Sequence, residues 1–146
     1  MSTHLIQSPY AILLVEDDAA DAVLIREALR DHPEARIVAQ AEDGLAALER
    51  LRDPSCRRPD LIVLDLNMPR MNGAEVLEVL KGDEDLKSIP VVVLTTSSAP
   101  EDIRSAYELH ANAFVTKPVS LDDFVRTVRT IDAFFLETAA VLPVKK

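Results

Sequence analysis

The apolar run Leu61–Leu64 ends at Asp65, and Leu66, Asn67, Met68 and Pro69 follow. Three other short apolar runs also end in residues that can do chemistry. Ala11–Val15 leads into Glu16-Asp17-Asp18, Val91–Leu94 into Thr95, and Ala113–Val115 into Thr116-Lys117-Pro118. If these ends meet, Glu16, Asp17 and Asp65 crowd one pocket. Two carboxylates ~4 Å apart repel by about 4 kcal/mol at an effective dielectric near 20, so a third is tolerated only with compensation. A hard divalent cation, Mg2+ or Mn2+, takes oxygen ligands and supplies it. Lys117 brings a fixed positive charge, and helix amino termini at the same edge add a weaker field. With the charge balanced, Asp65 can attack a phosphoryl group and carry it as an aspartyl phosphate. The cation, Lys117 and the Thr95 hydroxyl would then neutralise and orient the phosphoryl oxygens. Asn67 is expected to turn its side chain outward and to offer its backbone carbonyl to the metal. Taken singly, each residue has a plainer reading: an acid after a strand is often a helix cap, as Asp18 is expected to be, and a strand-end Thr is a common β-former. Their placement at four strand ends together favours the chemical reading.

The elements that must position them follow from periodicity. Ala11–Val15, Ala35–Ala41, Leu61–Leu64, Val91–Leu94 and Ala113–Val115 read as strands, the first, third and fourth almost wholly apolar, as in parallel sheets covered on both faces. Between them run helical stripes: Leu24, Ile25, Ala28 and Leu29; Ala47, Leu48 and Leu51; Val76, Leu77 and Leu80; Ile103, Ala106 and Tyr107; and Leu121, Phe124, Val125 and Val128. Ser98 with Glu101, and Ser120 with Asp123, mark helix entrances, and His32-Pro33 closes the first helix. This alternation gives a doubly wound α/β fold, a parallel (βα)5 sheet in the order 2-1-3-4-5. Ligands of such sheets bind beyond the carboxyl ends of the strands, where the acids, Thr95 and Lys117 fall.

The chain has 146 residues, which suits one domain: residues 1–9 as a flexible segment, 10–137 as the domain and 138–146 as a tail. A formal net charge of −9 argues against nucleic acid as partner. Cys56 is the sole cysteine, so an intrachain disulfide is excluded. No signal peptide and no run approaching the ~20 apolar residues of a membrane span is present, and a cytoplasmic protein is expected. A flavin-binding protein of this fold would need a Ser/Thr/Gly-rich phosphate loop after the first strand, where three acids stand. A dinucleotide-binding enzyme would need Gly-x-Gly-x-x-Gly there, and the chain holds three glycines in all. A metal-dependent phosphatase could use the same Asp and cation, but would want a cap or cleft.

Glu16-Asp17, Asp65 with Met68-Pro69 and Asn72-Gly73, Thr95, and Lys117-Pro118 together resemble the receiver domain of two-component response regulators, over about Tyr10 to Phe135. The resemblance implies a flavodoxin-like fold with Asp65 as the phosphorylated residue and Asp17 as a direct Mg2+ ligand. Glu16, where Asp is more usual, would reach the metal through water. Thr95 would contact the phosphoryl group and Lys117 would pair with it, pointed inward by a cis peptide before Pro118. Phe114 occupies the aromatic switch position. Leu94-Thr95-Thr96-Ser97-Ser98, Tyr107 to Asn112 and Phe134-Phe135 look like small response regulators paired with phytochrome histidine kinases, which would make a kinase phosphohistidine the donor.

Eleven residues follow Phe135, too few for a DNA-binding or enzymatic output unit. The expected output is therefore protein contact, phosphorelay transfer or a phosphate sink, in a protein that assists only its own phosphorylation and dephosphorylation. A receiver that is never phosphorylated and serves as a docking module is the remaining rival. The apolar residues Phe134, Phe135, Val141 and Leu142 either pack back on the domain or join a homodimer contact through the fourth helix, fifth strand and fifth helix, the arrangement the resemblance favours.

Overall fold

A computed structural model describes residues 10–30 and 36–138. Strands β1 (Tyr10–Val15), β2 (Arg36–Ala41), β3 (Leu61–Leu64), β4 (Val91–Thr95) and β5 (Ala113–Thr116) alternate with helices α1 (Ala19–Arg30), α2 (Gly44–Arg52), α3 (Gly73–Gly82), α4 (Pro100–Glu108) and α5 (Leu121–Asp132). All neighbouring strands pair in parallel, in the order β2-β1-β3-β4-β5. The expected topology is the observed one.

Strand alternation sends side chains to two separate cores. Leu13, Val15, Ile62, Leu64, Val91 and Val93 face Ala47 and Leu48 of α2, Val76, Leu77 and Leu80 of α3, and Ala106 of α4. Ile12, Leu14, Leu61, Val63, Val92 and Leu94 face α1 and α5 through Ala22, Ile25, Ala28, Leu29, Phe124, Val128 and Ile131. The three central strands are therefore buried on both sides, which is why they read as unbroken apolar runs.

Helix starts follow from short-range hydrogen bonds. Asp43 caps α2 by accepting the Ala46 N–H at 2.9 Å, Asn72 and Glu75 form a reciprocal capping box on α3, and Ser120 caps α5 through the Asp123 N–H at 3.3 Å. Asp18 accepts the Asp21 N–H at 3.0 Å at the start of α1, as expected of a cap. The α4 entrance differs from the expected one. Its N-cap is Ala99, followed by Pro100 at the first helical position, and no side chain caps it. Ser97, not Ser98, organises this turn, by accepting the Ala99 N–H at 3.3 Å and donating to Asp102 Oδ2 at 2.5 Å. Of the expected α4 stripe only Ala106 is buried. Tyr107 lies half in solvent, and its hydroxyl accepts the Phe114 N–H at 3.1 Å on the outer edge of β5.

At the amino-terminal edge of the sheet, Arg36 of β2 meets Asp132 at the end of α5 through Nε–Oδ1 at 2.8 Å and Nη2–Oδ2 at 3.1 Å. Both side chains are almost fully buried, and the guanidinium lies 5.0 Å from the Tyr10 ring centroid. Beyond Asp132 the chain continues as a π-helical turn, Ala133–Thr138. Leu136 is buried in the α1/α5 core and Phe135 packs against it, whereas Phe134 is half-exposed and meets Phe135 edge to face at 5.1 Å. Of the expected apolar end, Phe135 thus packs back on the domain and Phe134 remains half in solvent. Val141, Leu142, His32, Pro33 and the segment 1–9 lie outside the described residues.

Among the described residues no helix is long and apolar enough to cross a membrane.

Candidate functional site

Backbone hydrogen bonds that extend the sheet by one residue bring the strand ends together. Asp65 N–H donates to Val15 O at 3.0 Å, Glu16 N–H to Ala41 O at 3.0 Å, and Lys117 N–H to Thr95 O at 2.7 Å. Glu16, Asp65 and Thr95 are consequently buried although polar. Carboxylate oxygens of Glu16, Asp17 and Asp65 all lie within 4.8 Å of one another, Asp17 on the solvent side. The convergence expected from the sequence is present.

Lys117 enters this pocket from the β5 side. Its Nζ donates to Glu16 Oε1 at 2.7 Å and to Asp21 Oδ2 at 2.8 Å, and stands 3.9 Å from Asp65 Oδ2. The last separation is an ion pair but too long for a hydrogen bond. Burial alone would push the ammonium down, but the bonds to Asp21 and Glu16 outweigh it and hold Lys117 above its ordinary value. Glu16 moves the other way for a carboxylate: burial pushes it up to about 7, the Lys117 hydrogen bond opposes this, and the Asp65 charge adds to it. The second Glu16 oxygen accepts the Asp18 N–H at 3.2 Å.

One expectation needs correction. The described residues contain no cis peptide, so the bond before Pro118 is trans, the default for X–Pro by roughly 0.5–1 kcal/mol. The lysine still points inward, because the Lys117 N–H prolongs the β4–β5 ladder and two carboxylates take its ammonium. Asn67 is exposed, as expected, and from there its side-chain amide reaches toward the end of β4. Its Nδ2 lies 3.5 Å from Thr95 Oγ1 as donor, and its N–H lies 3.4 Å from Asp65 Oδ1.

Phe114 is half-buried against the core that holds Val91, Val93 and Ala106. It sits on β5, the strand beside the one that carries Thr95. The loop after Asp65 is tied down from the other side: Arg70, with φ of 62°, donates from Nε to Asp43 Oδ2 at 2.8 Å, and Gly44 N–H donates to Met71 O at 3.2 Å. Sequence reasoning missed both Asp21 and the Arg70–Asp43 pair. Asp21 carried a usable signal, since it falls in the first turn of the helix that starts directly after the acids of the strand end.

Two buried carboxylates and an exposed one on the solvent side suit a hard cation that keeps some of its water. Residues 12–129 match the response regulator receiver domain. The chain belongs to the response regulator receiver family. The receiver is 44% identical over 137 residues to response regulator Rcp1 of a Synechocystis species, covering 91% of this chain and 93% of that one. It is also 42% identical over 133 residues to the probable methanogenesis regulatory protein FilR2 of Methanothrix harundinacea, covering 89% and 86%. A crystal structure of the Mn(2+)-bound form of Rcp1 superposes with a TM-score of 0.89 at 43% identity, over 92% of this chain and all of that one. That of the phosphorylated cyanobacterial phytochrome response regulator RcpA gives 0.90 at 42% identity, over 93% and 100%. The receiver is thus close to phytochrome-associated regulators, in sequence and in fold.

Proposed function

We propose that this receiver takes a phosphoryl group from a histidine kinase on Asp65 and signals by contact with another protein. The observation that carries the reading is the convergence of Glu16, Asp17 and Asp65 within 4.8 Å, with the Lys117 ammonium beside them. In the transfer, an Asp65 carboxylate oxygen attacks phosphorus, the P–N bond to the donor histidine breaks, and its electron pair leaves on the imidazole nitrogen, which is protonated. Mg2+ or Mn2+, held by Asp17, Asp65, the Asn67 carbonyl and, through water, Glu16, would neutralise phosphoryl oxygens when bound. Lys117 contributes its charge from the opposite side, and the Thr95 hydroxyl is near enough to Asn67 and the sheet end to meet the transferred group.

Phosphorylation then acts by population shift. Thr95 moves toward the phosphoryl group, Phe114 follows inward, and the face made by α4, β5 and α5 changes shape. The protein assists its own phosphorylation and dephosphorylation and turns over no other substrate. It works in the cytoplasm, without DNA or membrane as partner.

A phytochrome-type kinase as donor is supported by the likeness to Rcp1 and RcpA. The similar identity to FilR2 makes the sensor a matter for experiment. The test is incubation with Mg2+ and a small acyl phosphate, followed by intact-mass measurement. A gain of one phosphoryl group in wild type and none in Asp65→Asn supports the reading. No gain in wild type, from either the small donor or a phosphorylated kinase, overturns it in favour of a plain docking module.

A further inference from the structure

Of the three protons on the Lys117 ammonium, two have defined acceptors, Glu16 Oε1 at 2.7 Å and Asp21 Oδ2 at 2.8 Å. Asp65 Oδ2 stands off at 3.9 Å. Asp21 lies in the first turn of α1, where Asp18 takes its backbone N–H and fixes the start of the helix. It is outside the group of carboxylates that could hold a cation, and no role assigned above uses it. It nevertheless makes one of the two charge-assisted hydrogen bonds to the one buried ammonium at the site, and such bonds are about twice as strong as neutral ones.

We infer that Asp21 is a positioning residue: it draws the Lys117 ammonium toward α1, so that the attacking oxygen of Asp65 stays unencumbered and the third N–H is kept for the incoming phosphoryl oxygen. This rests on the phosphoacceptor reading of Asp65. The physical reason is competition among anions for one cation. The Asp21 side chain is 29% exposed, whereas Glu16 is nearly dry. Asp21 therefore keeps more of its water than a third buried acid would. Without its charge the ammonium is left with Glu16 and Asp65, and moves from ion-pair separation into direct contact with the nucleophile. That contact has to be broken before attack, and the expected slowing is about five- to tenfold.

The test compares wild type, Asp21→Asn, Asp21→Glu and, as a control for net charge on the same helix, Glu27→Gln. The first measurement is made without metal or donor, on protein labelled with 15N-lysine. The Lys117 Nζ resonance should move in Asp21→Asn, remain in place in Glu27→Gln, and return toward the wild-type position in Asp21→Glu. The second is the rate of phosphoryl uptake from a small acyl phosphate at saturating Mg2+, read by intact mass over time. Uptake should fall about five- to tenfold in Asp21→Asn, recover in large part in Asp21→Glu, and stay at the wild-type rate in Glu27→Gln. Wild-type uptake with an unchanged rate in Asp21→Asn overturns this inference alone. An equal loss in Asp21→Asn and Glu27→Gln overturns it too, because bulk charge would then explain the effect. A wild type that takes up no phosphoryl group overturns the functional reading itself and this inference with it.

Discussion

Gly73 packs against the backbone of Asp65 so closely that a β-carbon at residue 73 would lie 2.3 Å from the Asp65 carbonyl oxygen and 2.7 Å from Leu66 Cα. The Gly73 N–H donates to Leu66 O at 3.0 Å, so the first turn of α3 is fastened directly under the loop that follows Asp65. Both obstructing groups are backbone and cannot swing away.

Gly73→Ala should therefore displace this loop. Alanine gains helix propensity worth about 1 kcal/mol over glycine, but forced overpacking costs roughly 1–3 kcal/mol. A net loss of stability is expected, together with weaker Mg2+ binding, because the loop carries both Asp65 and the Asn67 carbonyl. Urea unfolding and a metal titration on the same variant would check it. Unchanged values in both would show that the loop has room the structure does not provide.

The Glu16 carboxyl, pushed up to about 7 by burial, with the Asp65 charge adding and Lys117 opposing, makes ion binding sensitive to pH. Its folded value exceeds the ordinary 4.5, so between those limits the folded metal-free chain keeps a proton that the unfolded chain has released. Stability from this group is complete below the window and is lost as pH rises through it. The carboxylate form is the one that suits a cation, so Mg2+ binding should strengthen over the same rise. At about pH 6 binding should expel up to one proton. Calorimetry in buffers of different ionisation heat would measure that proton, and Glu16→Gln should abolish it.

Thr95 is fully buried at the carboxyl end of β4, with Asn67 Nδ2 at the outer limit of hydrogen-bond distance. So long a contact contributes little, and Thr95→Ala should remain folded and accept a phosphoryl group. The expected defect is in the response: Phe114 loses the signal to move inward. Partner affinity of phosphorylated wild type and phosphorylated Thr95→Ala should differ, and equality between them would remove Thr95 from the switch.

The Arg36–Asp132 pair lies at the opposite edge of the sheet, far from the chemistry in the chain's topology, and both side chains are almost dry. Removing one partner from such a pair commonly costs 3–5 kcal/mol, roughly, whereas exchanging both for apolar groups can be neutral. Asp132→Ala should lower the unfolding free energy by an amount of that order and leave the rate of phosphoryl uptake intact. Chemical denaturation gives the first quantity and intact mass the second. A change of under about 0.5 kcal/mol, the size of an ordinary surface substitution, would mean that the pair fixes nothing.

Association of two copies through α4, β5 and α5 is expected to involve the half-exposed Phe134 just beyond α5. Sedimentation of the phosphorylated and unphosphorylated protein at high micromolar concentration should show dimer in at least one state. Phe134→Ala should shift it toward monomer by about tenfold in dissociation constant, the scale of one aromatic anchor worth over 1 kcal/mol. Monomer throughout would exclude the arrangement.

Much of this molecule could be read before any coordinates. Strands buried on both faces leave nearly continuous apolar runs, and β1, β3 and β4 announced themselves that way. The acids, Thr95 and Lys117 were legible because a parallel sheet puts every strand's carboxyl end on one edge. What escaped were relations that depend on where a long side chain finally rests. Arg36 and Asp132 are 96 residues apart and only the packed structure makes them partners. Asn67 lies beyond the end of β3, where strand geometry no longer dictates direction, so the reach of its amide toward the Thr95 hydroxyl could not be read from alternation. Tyr107 fell on an apolar stripe, yet its hydroxyl draws it to a backbone donor at the surface.

That tyrosine has a further bearing on how the molecule keeps its own company. An outermost strand offers unclaimed backbone rungs on which a neighbouring chain can zip itself, the first step toward fibres. At Phe114 the rung is already taken by a phenol from the same chain. A neighbouring chain therefore finds one fewer free rung on this border to pair with.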